Sequence, residues 1–192
     1  NPKAMTKDSI AAYTKRLAER DFGPEHAAEI ADVISRYTKY NGWRKPELIE
    51  PSTFSVVNYT EADRVEAAWE EVVQKAEKIY AQLPKDHQAA FYQLVLHPAK
   101  ASALVAQMNI AAGKNQLYAR QGRLHGTTEQ AERVRNLFKQ DHAMSEYYNK
   151  ILSEGKWNHL MDQPHLGQFD WQPPRVDSMP LISEILPAKN AN

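Results

Sequence analysis

The sequence predicts an all-α protein, a bundle of about five helices followed by an irregular C-terminal extension. Apolar residues recur every three or four positions over most of residues 1–154, which is the spacing of one face of an amphipathic helix. Glycines and prolines separate these periodic stretches, and the periodicity ends at Gly155. We therefore divide the chain into a helical bundle, residues 1–154, and an extended aromatic strap with a linker toward a following domain, residues 155–192.

The first two helices are predicted to form an antiparallel hairpin. Helix one should run from residue 7 to residue 22, where Gly23 ends it. Pro24 suits the first turn of a second helix that stops near Asn41 and Gly42. A connection this short places the two helices side by side. The apolar face of helix one is expected to consist of Ile10, Tyr13, Leu17 and Ala18.

A connection then leads into the clearest helix of the chain. Pro46 and Pro51 exclude a long helix in residues 43–59, so we expect an ordered loop with at most one short strand at 53–57. Thr60 is expected to cap the third helix, which Pro84 ends. Its apolar stripe is Val65, Ala68, Trp69, Val72, Ala76, Ile79, Tyr80 and Leu83.

The last two helices are long. The fourth is predicted over residues 85–120, with a kink just before Pro98 and with Gly122 and Gly126 beyond its end. Thr127 and Gln130 have the spacing of a capping box, which predicts the start of the fifth helix. The fifth helix should end at Gly155, and its apolar residues are Val134, Leu137, Phe138, Met144, Tyr148, Ile151 and Leu152.

Composition narrows the function classes. Acidic and basic residues balance at 24 each, so no net charge attracts nucleic acid. The longest apolar-leaning stretch, residues 101–113, is too short and too polar to cross a membrane. The absence of cysteine excludes disulfides and thiolate metal sites. Because the sequence begins with Asn1 and not with an initiating methionine, we expect a fragment or a processed product.

Two aromatic segments are candidates for contact with substrate or with another domain. The first, around Trp43 and Arg44, follows a helix and can either cover the edge of the core or bind a partner. The second, GKWNHLMDQPHLGQFDW at residues 155–171, has neither helical nor strand periodicity, so it is either a docked strap or part of a site. The candidate contact residues are Trp43, Arg44, Trp157, His159, Asp162, His165 and Trp171.

The sequence predicts no catalytic site of its own. His159, Asp162 and His165 interrupt a proline-containing loop, and satisfied hydrogen-bonding histidines are favoured over a metal site there. Glu66, Glu70 and Glu71 are expected on a solvated helix face, whereas glycosidic chemistry needs two carboxyl groups across a cleft. No glycine-rich phosphate loop or nucleophile elbow occurs. The residues therefore predict a helical support domain with no catalytic residues, no metal and no cofactor.

The chain resembles glycoside hydrolase family 115, the xylan α-1,2-glucuronidases. The matching pieces keep their order along most of residues 1–180: residues 1–49, TFSVVNYTEADRV, AFYQLVLHPAKASA, AAGKNQLYARQGR, GKWNHLMDQPHLG and FDWQPP. The GKWNHLMDQPHLG string at 155–167 is the most specific, since an aperiodic aromatic string is improbable by chance. Trp43 departs from the smaller or charged residue that we expect in the family.

The resemblance implies a multidomain enzyme that removes glucuronic acid, often 4-O-methylated, from xylan with inversion. In that family the catalytic carboxylates lie in a (β/α)8 barrel, so this chain would be the helical bundle that follows the barrel. The implied partners are the barrel, the neighbouring domains and, through them, the polysaccharide; a homodimer is left open. The family suggests a secreted or periplasmic protein of bacteria or fungi. The alternative is a free-standing helical interaction or carbohydrate-binding module.

Overall fold

Helices dominate the computed structural model, which describes residues 6–168 and 172–184, and these residues contain no strand. The predicted all-α fold is therefore confirmed. The α-helices are α1 (Lys7–Phe22), α2 (Ala27–Trp43), α3 (Glu61–Gln82), α4 (Lys85–Phe91), α5 (His97–Arg120) and α6 (Leu124–Glu146). A π-helical turn, Tyr92–Leu96, joins α4 directly to α5, so the six segments form five continuous helices.

The chain packs as two compact units, each with its own core. The described residues of unit 1 lie within Asn1–Lys45 and Ala67–Ala103, and those of unit 2 within Pro46–Glu66 and Leu104–Asn192. The largest buried side chains of unit 1 are Trp69, Phe91, Ile30, Ile79, Val33, Val72 and Val95. Those of unit 2 are Tyr148, Met108, Ile110, Val134 and Asn115.

Helices α1 and α2 pack against each other as predicted. The Thr6 hydroxyl accepts the Ser9 N–H and the Ser9 hydroxyl accepts the Thr6 N–H, which closes a capping box at the start of α1. Gly23 ends the helix with a φ of 86°, a conformation that costs glycine little. The predicted apolar face is only partly correct, because Ile10 and Tyr13 are 54% and 51% exposed.

The apolar stripe of α3 was correctly predicted. Trp69 is 2% exposed, and Val72 and Ala76 are fully buried. Before α3, however, no strand forms: residues 46–48 make a 3₁₀ turn, and the Ser55 hydroxyl accepts the N–H groups of Val57 and Asn58. Thr60 has a φ of 52° and its hydroxyl donates to the Tyr59 carbonyl, so it occupies the predicted position without the predicted cap geometry.

Where a kink was predicted, just before Pro98, the structure has the π-helical turn Tyr92–Leu96. Farther along, α6 begins at Leu124 and not at the predicted Thr127. The reason is that the Thr127 hydroxyl donates back to the Arg123 carbonyl, as in a helix interior, and so does not cap the helix. Gly126 lies inside the first turn of α6, where a Cβ would approach the Tyr118 ring to 2.8 Å.

The end of α6 widens into a second π-helical turn, Tyr147–Ile151, and then a 3₁₀ turn, Leu152–Gly155. Gly155 ends the helical part, as predicted, with a φ of 77°. The described residues that follow it, 156–168 and 172–184, form no further helix or strand. We call residues 155–184 the strap; all of its described residues belong to unit 2.

Candidate functional site

The strap is held on the helices of unit 2 by an ion pair between His165 and Asp141. Asp141 comes from α6 and is 1% exposed, in line with the buried residues Val134, Leu137, Met144 and Tyr148. The His165 Nε2 lies 2.9 Å from the Asp141 Oδ2. A buried carboxylate needs such a partner, because leaving it unpaired in the core would cost far more than the pair does.

This pairing changes the acid–base behaviour of His165. The hydrogen bond to Asp141, assisted by the charge of that carboxylate, raises the pKa of His165 to about 9, against the opposing effect of burial. The Gln163 carbonyl, 3.1 Å from Nδ1, and the Asp177 carboxylate, 3.8 Å away, act in the same direction. His165 therefore carries a positive charge at neutral pH and acts as a cationic anchor, since both of its ring nitrogens already have partners.

Asp177 fixes the loop that carries His165. One of its carboxylate oxygens, Oδ1, accepts the backbone N–H groups of His165 and Leu166, each at 2.7 Å. The Ser178 N–H then donates to the Leu166 carbonyl at 3.2 Å. Gly167 has a φ of 85°, and a Cβ on it would lie 1.9 Å from the Ser178 hydroxyl oxygen, so only glycine fits between these two segments.

A second anchor lies in the π-helical turn at the end of α6. Asn149 is 4% exposed; its Nδ2 donates to the Asp162 carboxylate at 2.8 Å and its Oδ1 accepts the Met161 N–H at 2.9 Å. The other oxygen of Asp162 lies 2.6 Å from the His159 Nδ1. Near this anchor, the Trp157 ring lies 5.8 Å from the Tyr148 ring.

The C-terminal end of the strap is held by two neighbouring amides of α5. Asn115 is fully buried; it donates to the Ser183 carbonyl at 3.1 Å and accepts the Ser183 N–H at 2.7 Å, as a neighbouring strand would. Gln116 donates to the Leu181 carbonyl at 2.9 Å. Arg135 of α6 adds an ion pair with Glu184.

The strap and the rest of unit 2 line a half-open cavity of about 380 Å³. One wall is the loop 46–52, another is a face of α5, and the strap segments 165–168 and 178–181 complete it. Its floor is apolar, with Met108 and Leu166 buried. Within the described lining, Glu47 and Glu50 are the only carboxylate residues, and both lie on the same loop.

The arrangement does not resemble a glycosidase centre or a metal site. An inverting glycosidase needs two carboxyl groups facing each other, about 6.5–9.5 Å apart, and the described walls opposite Glu47 and Glu50 carry none. In the part of the chain that the structure describes, no three His, Cys, Asp or Glu residues come together to hold a metal ion. His159 and His165 instead bond to different carboxylates, Asp162 and Asp141.

Glu66 proves not to lie on a solvated face. Its side chain is 13% exposed, pairs with Lys114 at 3.2 Å and also pairs with Arg133. Lys114 reaches Asp63 at 2.7 Å as well. Burial lowers the pKa of the Arg133 guanidinium. Lys114 and Arg133 together neutralise Glu66, so the cluster offers no free acid or base. Its residues lie on α3, α5 and α6 within unit 2. By contrast, Glu70 and Glu71 are exposed, as expected.

The remaining predicted contact residues do not join this site. Trp43 and Arg44 belong to unit 1, where Trp43 is 46% exposed and stacks on Tyr40 at 4.3 Å between ring centroids. Tyr40 in turn meets the edge of Trp69 at 5.2 Å. Trp43 thus extends the aromatic core of unit 1 to its surface. Trp171 lies outside the described residues.

Sequence reasoning missed the residues to which His165 and Asp162 of the strap are anchored, and it also missed Asp177 and Asn115. Asp141 and Asn149 lie among the apolar residues of α6, and a polar residue at a position where the periodicity requires a core residue is a usable signal of a buried partner. Asp177 and Asn115 give no such signal, because their roles depend on the path of the strap.

Comparisons with known proteins agree with the motifs. A family model described as glycosyl hydrolase family 115 matches residues 1–48. Among solved structures, the chain is similar to a family GH115 4-O-methyl-alpha-glucuronidase with specificity for decorated arabinogalactans, with a TM-score of 0.65 and 20% identity. The match covers 93% of this chain and 24% of that chain. The comparison with curated proteins gives no match.

The fold and the anchored strap define an all-α domain with a docked C-terminal extension, and the solved structure shares that fold. The resemblance to glycosyl hydrolase family 115 is confirmed by the family model at residues 1–48. The chain spans about a quarter of the solved glucuronidase. No helix among the described residues is long and apolar enough to cross a membrane.

Proposed function

We propose that this chain is the non-catalytic helical domain of an enzyme that resembles an inverting α-glucuronidase. That enzyme would remove glucuronic acid or its 4-O-methyl ether from xylan or a similar polysaccharide. The observation that carries the proposal is the likeness over 93% of this chain to one part of a much longer glucuronidase. The one-sided placement of Glu47 and Glu50 in the cavity also supports a non-catalytic role.

In this proposal the helical bundle, residues 1–154, supports a catalytic barrel that is not in this chain. The strap, with the linker up to residue 192, leads toward a following domain. Half-exposed aromatic side chains suit contacts between domains, because they bury a large area at a small entropic cost. Trp43, which is 46% exposed, and Trp157 are the described residues that we propose for such contacts, together with the neighbouring Arg44.

The test compares two proteins for release of glucuronic acid from glucuronoxylan and from arabinogalactan. One is this chain alone, and the other is the parent polypeptide that contains it. We expect activity only in the parent. Activity of the chain alone would overturn the non-catalytic role, and an inactive parent would overturn the glucuronidase assignment.

A further inference from the structure

The cavity that the strap lines within unit 2 has a second property, which concerns its hydrogen-bonding groups. Asn109 lies 8% exposed on the α5 wall, and its Nδ2 donates to the Val105 carbonyl at 3.0 Å. Gln116 likewise uses its Nε2 to reach the Leu181 carbonyl. Because the amide end that meets a carbonyl must be the NH2 group, the end left over is an oxygen in both residues.

The cavity therefore presents hydrogen-bond acceptors without partners. Neither the Asn109 Oδ1 nor the Gln116 Oε1 has a donor within the described residues, and the same holds for the carboxylate of Glu50 on the facing loop. A ligand that satisfies them must donate several hydrogen bonds. A carboxylate or phosphate cannot do so, since it only accepts.

The charged residues around the cavity also argue against an anionic ligand. His165 is the only basic residue in the described lining of the cavity, and its charge is already matched by Asp141 and by Asp177. Glu50 adds a further negative charge. An anionic ligand would meet an excess of carboxylates, whereas a neutral one would not.

The walls are also fixed before any ligand arrives. Asp177 holds segment 165–166, Gln116 holds Leu181, and the Thr53 hydroxyl accepts the Glu50 N–H at 2.8 Å. Gly113 lets the loop approach α5 so closely that a Cβ there would lie 2.4 Å from the Pro51 carbonyl oxygen. A preformed cavity of about 380 Å³ with an apolar floor lies in the size range of small-ligand sites.

We infer that this cavity binds one or two neutral sugar residues of a polysaccharide, with hydroxyl groups donating to Asn109, Gln116 and Glu50 and with the apolar ring face against the apolar side chains of the lining. The inference rests on the proposed function, which supplies the polysaccharide. It assigns the cavity to the neutral part of the chain and not to the glucuronic acid. The domain would thereby hold the polymer while the barrel acts on the acidic side group.

The test titrates the full 192-residue chain with four probes: xylobiose, galactobiose, D-glucuronic acid and N-acetyl-lysine amide. Binding is followed by calorimetry and by the NMR signals of the Asn109 and Gln116 side-chain amides. We expect saturable binding of at least one neutral disaccharide, with those two amides shifting. D-glucuronic acid should bind at least about tenfold more weakly, since it replaces a donor by a charged acceptor.

Two variants and a matched control locate the binding. Asn109→Leu keeps the side-chain size and removes the acceptor, and Glu50→Ala removes an exposed acceptor that the fold does not need. Each should weaken disaccharide binding by about fivefold or more, the effect of one lost hydrogen bond. Glu132→Ala, an exposed glutamate of α6 outside the cavity, should leave binding unchanged.

Several results would overturn the inference. They are the absence of binding by both disaccharides, equal binding of D-glucuronic acid, preferential binding of N-acetyl-lysine amide, and unchanged binding in Glu50→Ala. The lysine result would assign the cavity to a basic side chain of another domain. Release of glucuronic acid by the parent is measured separately: an active parent whose helical chain binds no disaccharide contradicts only this inference, and an inactive parent contradicts only the proposed function.

Discussion

The two π-helical turns among the described residues have the same length and the same closing hydrogen bond, but different surroundings. Each has five residues, Tyr92–Leu96 in unit 1 and Tyr147–Ile151 in unit 2. Each is closed by a hydrogen bond over five residues, from His97 N–H to the Tyr92 carbonyl and from Leu152 N–H to the Tyr147 carbonyl. What differs is the third residue: Leu94 is 52% exposed, whereas Asn149 is 4% exposed.

The first turn is followed by Pro98, which has no N–H and whose ring would clash with the Leu94 carbonyl in a regular α-helix. The second turn has no proline near it. Its Asn149 instead bonds to both Met161 and Asp162 of the strap. The comparison teaches that one turn accommodates a proline within a continuous helix, while the other presents a side chain to a distant segment of the chain.

The largest effect should come from removing the side chain that distinguishes the two turns. Asn149→Ala breaks two hydrogen bonds and leaves the Met161 N–H without its partner, so we expect a loss of about 2–3 kcal/mol in the free energy of unfolding. The matched control Leu94→Ala, at the same position of the first turn, should cost less than about 1 kcal/mol because that side chain is largely in water. Denaturant unfolding curves measure both, and equal losses would contradict the distinction.

The next effect concerns Asp141, the other anchor on α6. Asp141→Asn keeps the shape and one neutral hydrogen bond to His165 but removes the charge, so we expect a loss of about 1–2 kcal/mol. The same change should return the pKa of His165 from about 9 toward its ordinary value. An NMR titration of the His165 ring measures this directly. If the pKa stayed near 9, Asp141 would not be its cause.

A smaller effect should appear in the pH dependence of stability. Because the folded-state pKa of His165 is raised above the unfolded value of 6.5, its stabilising contribution is complete below pH 6.5 and is lost as pH rises through about 9. The free energy of unfolding should therefore decline between these values. The loss should stay below that of Asp141→Asn, since a neutral ring still donates a hydrogen bond and solvent screens a side chain that is 43% exposed.

The control for this measurement is His165→Gln, which keeps a donor and removes the titration. Its unfolding free energy should not show the decline between pH 6.5 and pH 9. A decline of equal size in the variant would assign the effect to other groups.

Much of this fold could be predicted from the sequence because its causes are local. The C-terminal end of α1 follows from Gly23, the stripe of α3 follows from apolar spacing, and Pro98 marks the place of the first π-helical turn. The predicted start of α6 was wrong because Thr127 and Gln130 match the spacing of a capping box. In the structure, the packing of Gly126 against Tyr118 lets the helix begin three residues earlier. No local pattern reports that close approach.

The site could be predicted only in part, because the contacts that build it join residues that are distant along the chain. His159, Asp162 and His165 were singled out because their segment is aromatic and aperiodic. The partner of His165 is 24 residues away along the chain, in Asp141, and Asp177 is 12 residues away on the other side. Which carboxylate meets which imidazole depends on the path of an irregular strap, and that path depends in turn on Asn115, Asn149 and Gly167.

The smallest effect tests whether Pro98 alone maintains the first turn. Pro98→Ala restores an N–H and removes the ring, yet we expect the π-helical turn to remain and stability to change by less than about 1 kcal/mol. Reversion to a regular α-helix would rotate everything after the turn by about 100°, which would carry the buried Ala99 and Ala103 out of the core. Amide exchange and backbone chemical shifts over residues 92–98 measure the outcome. A regular helix in the variant would mean that Pro98, and not the packing of the core, determines the first turn. The two turns would then differ in cause: the proline ring in the first, and the packing of Asn149 against the strap in the second.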